Sequence, residues 1–170
     1  MCGHGWGVGV SALPPVLDPA SASRMMWFNK TDPRALFGDA RDEVHELCDG
    51  RTLTVHPDQV MDFRSLPFGD ASFWHVVFDP PHLNRLGKDS FMAQKYGRLA
   101  TSWKDDLEAG FAECFRVLKP GGTLVFKWNE DQIPVADVLA LTPEKPLYGH
   151  RSGRLSKTHW ISFIKEPANA

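Results

Sequence analysis

The chain has 170 residues, of which 42% are hydrophobic and 24% charged, and its formal net charge is −2. These values predict one globular domain with a substantial core and exclude a disordered chain, and any contact with a polyanion must come from a local basic patch. No apolar run is long enough to span a membrane, and the three cysteines have no metal-ligand spacing. We therefore expect a cytoplasmic protein with neither a membrane partner nor a metal site.

The first half of the chain alternates predicted strands with predicted helices. Residues 1–15 are glycine-rich and end in two prolines, which predicts an irregular segment. The elements expected after it are a strand at 16–19, a helix at 21–28, a strand at 34–39, a helix at 41–48 and a strand at 59–63.

The second half continues the alternation. Its expected elements are a strand at 73–78, a mainly helical stretch at 90–118, a strand at 123–128, a short helix at 134–141 and a terminal hairpin within 146–165. Alternating strands and helices predict an α/β fold with a mostly parallel sheet.

Four predicted strands end at or near an acidic residue, namely Asp18, Asp39, Asp62 and Asp79. Ligands of parallel sheets bind outside the carboxyl ends of the strands, so we expect these carboxylates along one crevice. Asp39 lies 21 residues after Asp18, a spacing typical of an acid that binds ribose hydroxyls.

The absence of glycine-rich phosphate-binding motifs narrows the choice of cofactor. Neither GxGxxG nor GxxxxGK[ST] occurs, which disfavours NAD, FAD and ATP. S-adenosylmethionine (SAM) carries ribose and adenine without phosphate and fits better. Asp18 would help to bind its ammonium group, Asp39 its ribose and Asp62 the adenine amine, with Phe63 beside the base.

The candidate catalytic residues are Asp79, Pro80, Pro81 and His82, which follow the apolar strand at 73–78. Neither proline has an N–H to donate, so this segment offers acceptors: the Asp79 carboxylate and backbone carbonyls. Such a cluster suits the exocyclic amine of adenine or cytosine, with the His82 ring as a stacking surface.

The chain resembles class I SAM-dependent methyltransferases with a D/N/S-P-P-aromatic motif, and more narrowly a compact group of phage- and prophage-type nucleic-acid methylases. The resemblance rests on the segments VLDPASASRMMWFNK, LFGDARDE, PDQVMDFRSLPF, VVFDPPHL, KYG, ECFRVLKPGGTLVFKWNE and GHRSGRLSKTHWISFIK. It implies a Rossmann-like class I methyltransferase fold with helices on both faces of the sheet and a C-terminal antiparallel hairpin. It also implies a single domain over 1–170 without a separate target-recognition domain.

By this resemblance, residues 18–24 form the first cofactor loop, and its candidate cofactor ligands are Asp18, Pro19, Ala20, Ser21 and Arg24. The family usually has glycine where this chain has Ala22, so alanine is expected to weaken cofactor binding. His82 stands where Tyr, Phe or Trp is commoner, and it offers a smaller stacking surface.

The implied activity is methyl transfer to adenine N6 or cytosine N4, with DNA favoured over RNA. Candidate nucleic-acid contacts are Lys88, Lys95, Tyr96, Arg98, Arg151, Arg154 and Lys157, because basic and aromatic residues together are typical of single-strand binding surfaces. A solvated helix face and a charged hairpin explain the same residues equally well. Sequence specificity would come from a homodimer or a partner.

Three alternatives stay open at the level of sequence. The same chemistry could act on RNA, or on an amine of a protein or small molecule. The chain could also be a catalytically silent binding module, which Ala20 and Ala22 in the cofactor loop would favour.

Overall fold

The structure is a computed structural model that describes residues 12–47, 49–87, 90–153 and 155–167. Its strands are β1 (Val16–Asp18), β2 (Ala35–Asp39), β3 (Glu43–Glu46), β4 (Thr52–Val55), β5 (Gln59–Val60), β6 (Phe73–Phe78), β7 (Leu118–Asn129), β8 (Tyr148–Arg151) and β9 (Thr158–Ile164). Its helices are α1 (Phe91–Tyr96), α2 (Trp103–Val117) and α3 (Val135–Leu139).

A seven-stranded sheet organises the fold, with the strand order β5-β2-β1-β6-β7-β9-β8. The first five of these strands are parallel, and β9 runs antiparallel to both β7 and β8. The predicted α/β class, the mostly parallel sheet and the C-terminal hairpin are confirmed. Because the chain moves from β1 outward to β2 and β5 and then returns to β6, the strand order reverses beside β1, where such sheets bind ligands.

The core lies between α2 and one face of the sheet. Leu107, Phe111 and Cys114 of α2 are buried, as their helical spacing predicts. The Phe111 ring lies 5.5 Å from Phe78 on β6 and 5.0 Å from Phe126 on β7. This packing fixes the carboxyl end of β6, which leads directly into Asp79.

The helix predicted over 21–28 is wrong, because these residues form consecutive turns. Ala22 and Arg24 have φ values of 44° and 54°, outside the right-handed helical region. Side-chain contacts hold the turns in place: the Trp27 indole donates to Asp18, and the Arg24 guanidinium donates to Asp58. These long-range bonds outweigh the weak helical propensity of a short serine-rich segment.

The helix predicted over 41–48 is also wrong, because Glu43–Glu46 forms strand β3 of a hairpin with β4. Asp49 and Gly50 make the turn, and Gly50 has the positive φ that the turn requires. Leu53 and Val55 of β4 are buried, so the hairpin gains burial that an isolated helix would lack. Cys48 lies outside the described residues.

The mainly helical stretch predicted over 90–118 is divided into α1 and α2. Gly97 ends α1 with a φ of 74°, and residues 97–102 connect the two helices.

Strand β5 is shorter than predicted, with Asp62 two residues beyond its end. In the part of the chain that is described, no helix is long and apolar enough to cross a membrane.

Candidate cofactor and catalytic site

A cavity of about 300 Å³ lies at the carboxyl ends of the parallel strands. Its walls include Asp39, Asp62, Phe63, Asp79, Pro81 and Tyr96. The cavity thus joins three of the four predicted strand-end acids to the catalytic segment, and its volume is in the range of small-ligand sites.

Asp39 is buried at the end of β2 and joins two segments of the cavity wall. One carboxylate oxygen accepts from the backbone N–H of Ala22 at 2.9 Å, which fixes the first loop. The other accepts from the backbone N–H and the Nε of Arg41, both at 3.0 Å. The longest of these hydrogen bonds, from Arg41 Nη2 at 3.4 Å, is the weakest. A ribose hydroxyl can therefore replace it at the smallest cost in hydrogen-bond energy.

Arg41 also contacts the other side of the cavity. Its Nη1 donates to the backbone carbonyl of Gln94 in α1 at 2.9 Å. Gly97, next to α1, is packed closely enough that an added Cβ would lie 3.0 Å from Pro81 Cγ. Arg41 therefore holds the segment of Tyr96 and Gly97 against the catalytic loop.

Asp62 forms the part of the wall beyond β5. Its carboxylate binds Arg64, and Arg64 Nη1 also binds Asp106 of α2 at 2.9 Å. The hydrogen bond from the guanidinium lowers the pKa of Asp62 below its usual value. Phe63 follows with its ring 5.4 Å from Phe78, so one face of the cavity is aromatic.

Asp18 lies deeper than the sequence suggests and does not line the cavity, although Pro19 and Ala20 above it do. Its carboxylate accepts from Trp27 Nε1 at 2.7 Å and from the Ala20 N–H at 3.3 Å. Burial raises the pKa of Asp18 to about 7, against the hydrogen bond from Trp27, and the nearby charge of Asp79 adds to the rise. Asp18 therefore shapes the loop beneath the cavity.

Two further predicted cofactor residues do not line the cavity either. The Ser21 hydroxyl is buried, without a hydrogen-bond partner among the described residues. The Arg24 guanidinium binds Asp58 and the carbonyls of Lys30 and His56 and lies over the Phe37 ring. Both residues support the loop rather than the cavity wall.

Asp79 is paired with a lysine that sequence reasoning missed. Lys127 of β7 donates to Asp79 Oδ2 at 2.5 Å, and about four fifths of each side chain is buried. Burial raises the pKa of Asp79, and the ammonium group opposes that rise. Strand alternation could have indicated Lys127, since it faces away from the apolar positions Phe126 and Trp128.

The chain after Asp79 is held by contacts from two other loops. Gln132 Oε1 accepts from the backbone N–H groups of Asn84 and Arg85, and the Leu83 carbonyl accepts from Leu99.

The His82 ring lies 5.8 Å from Tyr96 and 6.2 Å from Trp128. Burial and then Lys127 lower the pKa of His82 to about 4, so the ring is neutral at neutral pH. Pro80 and His82 flank the cavity without forming its walls.

The candidate nucleic-acid residues fall into two groups. Arg98 lines the cavity and Lys95 lies over the Tyr96 ring at 5.1 Å; within the described chain neither has an ion-pair partner. Arg151 instead pairs with Glu130 and Lys157 with Asp131, so the terminal hairpin is not a simple basic patch. Lys88 and Arg154 lie outside the described residues.

Arg41 and Arg64 were also missed, although a short motif marks both. Each stands two residues after an acid and binds it, in Asp39-Ala40-Arg41 and Asp62-Phe63-Arg64. The same spacing gives a bonded pair at Asp32 and Arg34.

Across the described ranges, no cluster of three His, Cys, Asp or Glu residues is arranged to hold a metal ion.

No family model and no curated protein sequence matches the chain. The solved structures that it resembles include a SAM-dependent methyltransferase of Methanosarcina mazei, with 12% identity, a TM-score of 0.53 and coverage of 90% of this chain and 92% of that one. TrmN from Thermus thermophilus gives 17% identity and a TM-score of 0.55 over 89% of this chain and 44% of that one.

A third similar structure is the 1,6-didemethyltoxoflavin-N1-methyltransferase of Burkholderia thailandensis, which holds S-adenosylhomocysteine. Its identity is 14% and its TM-score 0.52, over 90% of this chain and 72% of that one. Likeness at such identities concerns the fold alone. The chain therefore has the class I SAM-dependent methyltransferase fold, with a mostly parallel central sheet and antiparallel strands at its C-terminal edge.

Proposed function

We propose that this protein is a SAM-dependent methyltransferase of the branch with a DPP-aromatic motif, and that it transfers a methyl group to an exocyclic amine of DNA, at adenine N6 or cytosine N4. The observation that carries the proposal is the position of Asp79, whose carboxylate lies on the wall of a cavity that also contains Asp39, Asp62 and Phe63. The acceptor atoms of the Asp79 segment and a cavity in the size range of small-ligand sites meet at this point.

The residues of the cavity fit SAM. Asp39 would accept from the ribose hydroxyls, Asp62 from the adenine amine, and Phe63 would pack against the adenine ring. The cofactor would supply an electrophilic methyl group on a sulfonium sulfur. Asp18, which was predicted to bind the ammonium group, would act instead through the loop that it holds.

The acceptor amine would bind at the Asp79 segment. Its two N–H groups would donate to the Asp79 carboxylate and the Pro80 carbonyl, which favours a more tetrahedral nitrogen and directs its lone pair toward the methyl group. Positioning of this kind supplies much of the rate of a direct displacement. The neutral His82 ring and Tyr96 would provide the aromatic surface for the base.

A nucleic-acid substrate is supported by Lys95, Arg98 and Tyr96, which place two cations and an aromatic ring together at or beside the cavity. RNA offers the same phosphates and bases and is the nearest alternative. An amine of a protein or small molecule is the second alternative, favoured by the acid-paired cations of the terminal hairpin. In duplex DNA the base would have to flip out, at a cost of a few kcal/mol.

The deciding experiment incubates the protein with labelled SAM and, separately, with single-stranded DNA, duplex DNA and RNA. Each polymer is then digested to nucleosides for mass analysis. We expect N6-methyladenine or N4-methylcytosine in DNA. Methylated nucleosides in RNA alone would move the assignment to RNA, and their absence from every polymer despite SAM binding would reject a nucleic-acid substrate.

An Asp79→Ala variant tests the catalytic assignment in the same assay. We expect turnover to fall by at least about 100-fold because the acceptor amine loses its main anchor, while affinity for S-adenosylhomocysteine changes little. Asp70→Ala is the matched control, since Asp70 is an exposed acid that pairs with Arg116 and does not line the cavity. An equal collapse of cofactor binding in Asp79→Ala would make Asp79 a cofactor or structural residue.

A further inference from the structure

Lys127 is positioned beside Asp79 by the register of the sheet. Phe78 pairs with Phe126 across β6 and β7, so the next residues, Asp79 and Lys127, face the same side of the sheet. The resulting bond from Lys127 Nζ to Asp79 Oδ2 joins residues 48 positions apart in the chain. The pair is therefore a product of the fold and not of local sequence.

The bond uses one carboxylate oxygen and leaves the other available. Among the described residues, Lys127 is the only side chain that donates a hydrogen bond to Asp79, and it donates to Oδ2. The following prolines have no N–H groups to offer. Oδ1 is thus the atom that can accept a hydrogen bond from a ligand.

Lys127 is itself held from its other side. The Trp160 ring of β9 lies 5.7 Å from Nζ, on the strand that pairs with β7. A cation over an aromatic face is stabilised, and the long lysine side chain loses freedom between the ring and the carboxylate. The ammonium group is therefore held beside Asp79.

The charged groups around Asp79 give Lys127 an electrostatic role. Among the described residues, the titratable groups that interact with Asp79 are Asp18 on β1 and Lys127 on β7. Asp18 has no cation bound to it within the described chain, and its charge opposes that of Asp79. Lys127 is thus the cation that opposes the rise in the pKa of this largely buried carboxylate.

We propose that Lys127 is a positioning residue for methyl transfer: it holds Oδ2 of Asp79 and leaves Oδ1 facing the acceptor amine. This inference rests on the proposed function. In the reaction, the bond between sulfur and methyl breaks with its electron pair remaining on sulfur, and the nitrogen lone pair forms the new bond to carbon. The surplus proton then passes from nitrogen to Oδ1 and on to solvent.

The test compares Lys127→Met, which removes the charge at similar length, with the conservative variant Lys127→Arg. Lys119→Met is the control, because Lys119 lies on the same strand at its opposite end, over the Trp74 ring. For each protein the turnover number at saturating substrates is measured against pH, and the affinity for S-adenosylhomocysteine by calorimetry.

We expect Lys127→Met to lower turnover at pH 7 by about 100-fold and to move the acidic limb of the pH profile to higher pH, since Asp79 then holds its proton longer. Lys127→Arg should restore most of the turnover, and cofactor affinity should stay within about threefold in all variants. An unmoved acidic limb, or turnover and cofactor affinity falling together, would overturn the inference.

A carboxyl ¹³C NMR titration of Asp79, without any acceptor, separates this inference from the proposed function. A higher pKa of Asp79 in Lys127→Met supports the ion pair even when the wild-type protein methylates no polymer, which would reject only the proposed function. An unchanged pKa of Asp79 would reject the role of Lys127 even when the wild-type protein is active.

Discussion

At the scale of the residue, Ala22 is the most unusual position of the site. Its φ of 44° lies in the left-handed region that glycine enters without a steric penalty, and its N–H binds Asp39 at 2.9 Å. The loop thus keeps the backbone shape expected of a glycine while carrying a methyl group. The hydrogen bond to a buried carboxylate stabilises that shape.

We expect Ala22→Gly to raise the free energy of unfolding by about 0.5–1 kcal/mol, because relief of left-handed strain exceeds the entropy gained by the unfolded chain. Affinity for S-adenosylhomocysteine should rise as well, since Ala22 lines the cavity. Urea denaturation and calorimetry measure the two effects. Ala20→Gly is the control: Ala20 has no positive φ, so this change should destabilise slightly. A destabilised Ala22→Gly protein would contradict the argument.

The placement of several residues near strand ends was predictable, whereas their roles stay predictions. Asp39, Asp62, Phe63 and Asp79 all line one cavity, as their positions after strands suggested. Asp18 lies beneath that cavity instead, because the Trp27 indole and the Ala20 N–H take up its carboxylate. No spacing rule in the sequence indicates such a partner nine residues away.

At the scale of the element, α2 controls the distance between the helix layer and the cavity. Gly110 allows the helix to approach the sheet: an added Cβ would lie 2.7 Å from Phe63 Cδ2 and 2.9 Å from Phe78 Cζ. These two rings are on the cavity wall and at the end of β6, respectively. A larger residue at this position must therefore move the helix or the rings.

We expect Gly110→Ala to lower the free energy of unfolding by about 1–3 kcal/mol through overpacking, although alanine is the better helix former by about 1 kcal/mol. Affinity for S-adenosylhomocysteine should fall because Phe63 is displaced. Gly69→Ala is the matched control, as its added Cβ would meet only Ser72 Oγ at 4.0 Å. Urea denaturation of both proteins tests this, and a stabilised Gly110→Ala protein would contradict it.

Elements were predictable where their pattern was strong. Buried apolar runs and an apolar helical stripe indicated β6, β7 and α2, although β7 begins five residues before its predicted start. The weak segments at 21–28 and 41–48 failed because neither has enough local preference to resist its surroundings. Long-range hydrogen bonds form the turns of the first, and burial of Leu53 and Val55 favours a hairpin for the second.

At the scale of the whole molecule, two buried acids contribute to the pH dependence of stability. They are Asp18 and Asp79, and burial raises the pKa of both. An aspartate in the unfolded chain has a pKa near 3.8, whereas the pKa of Asp18 in the fold is about 7. Between these pH values the folded state holds a proton that the unfolded state has lost. The contribution of Asp18 to the unfolding free energy therefore falls as the pH rises from about 4 to 7.

Asp18→Asn removes this titration while its amide oxygen can still accept from Trp27. Over the rise from pH 4 to 7 we expect the unfolding free energy of the wild-type protein to decrease relative to that of the variant, by on the order of 4 kcal/mol. Because the charges of Asp18 and Asp79 interact, this difference includes any change in the titration of Asp79. Urea denaturation at several pH values measures it, and parallel curves would contradict the raised pKa of Asp18.

Sequence patterns alone were enough to predict the α/β class, the mostly parallel sheet with its C-terminal hairpin and the strand ends where the acids lie. These features follow from hydrophobic periodicity and from residues that are adjacent in the chain. Only the tertiary structure decided that Lys127 binds Asp79, that Arg41 joins Asp39 to α1 and that Asp18 lies beneath the cavity. Two of these contacts join residues about 50 positions apart, and the third depends on burial, so each exists only once the sheet has assembled.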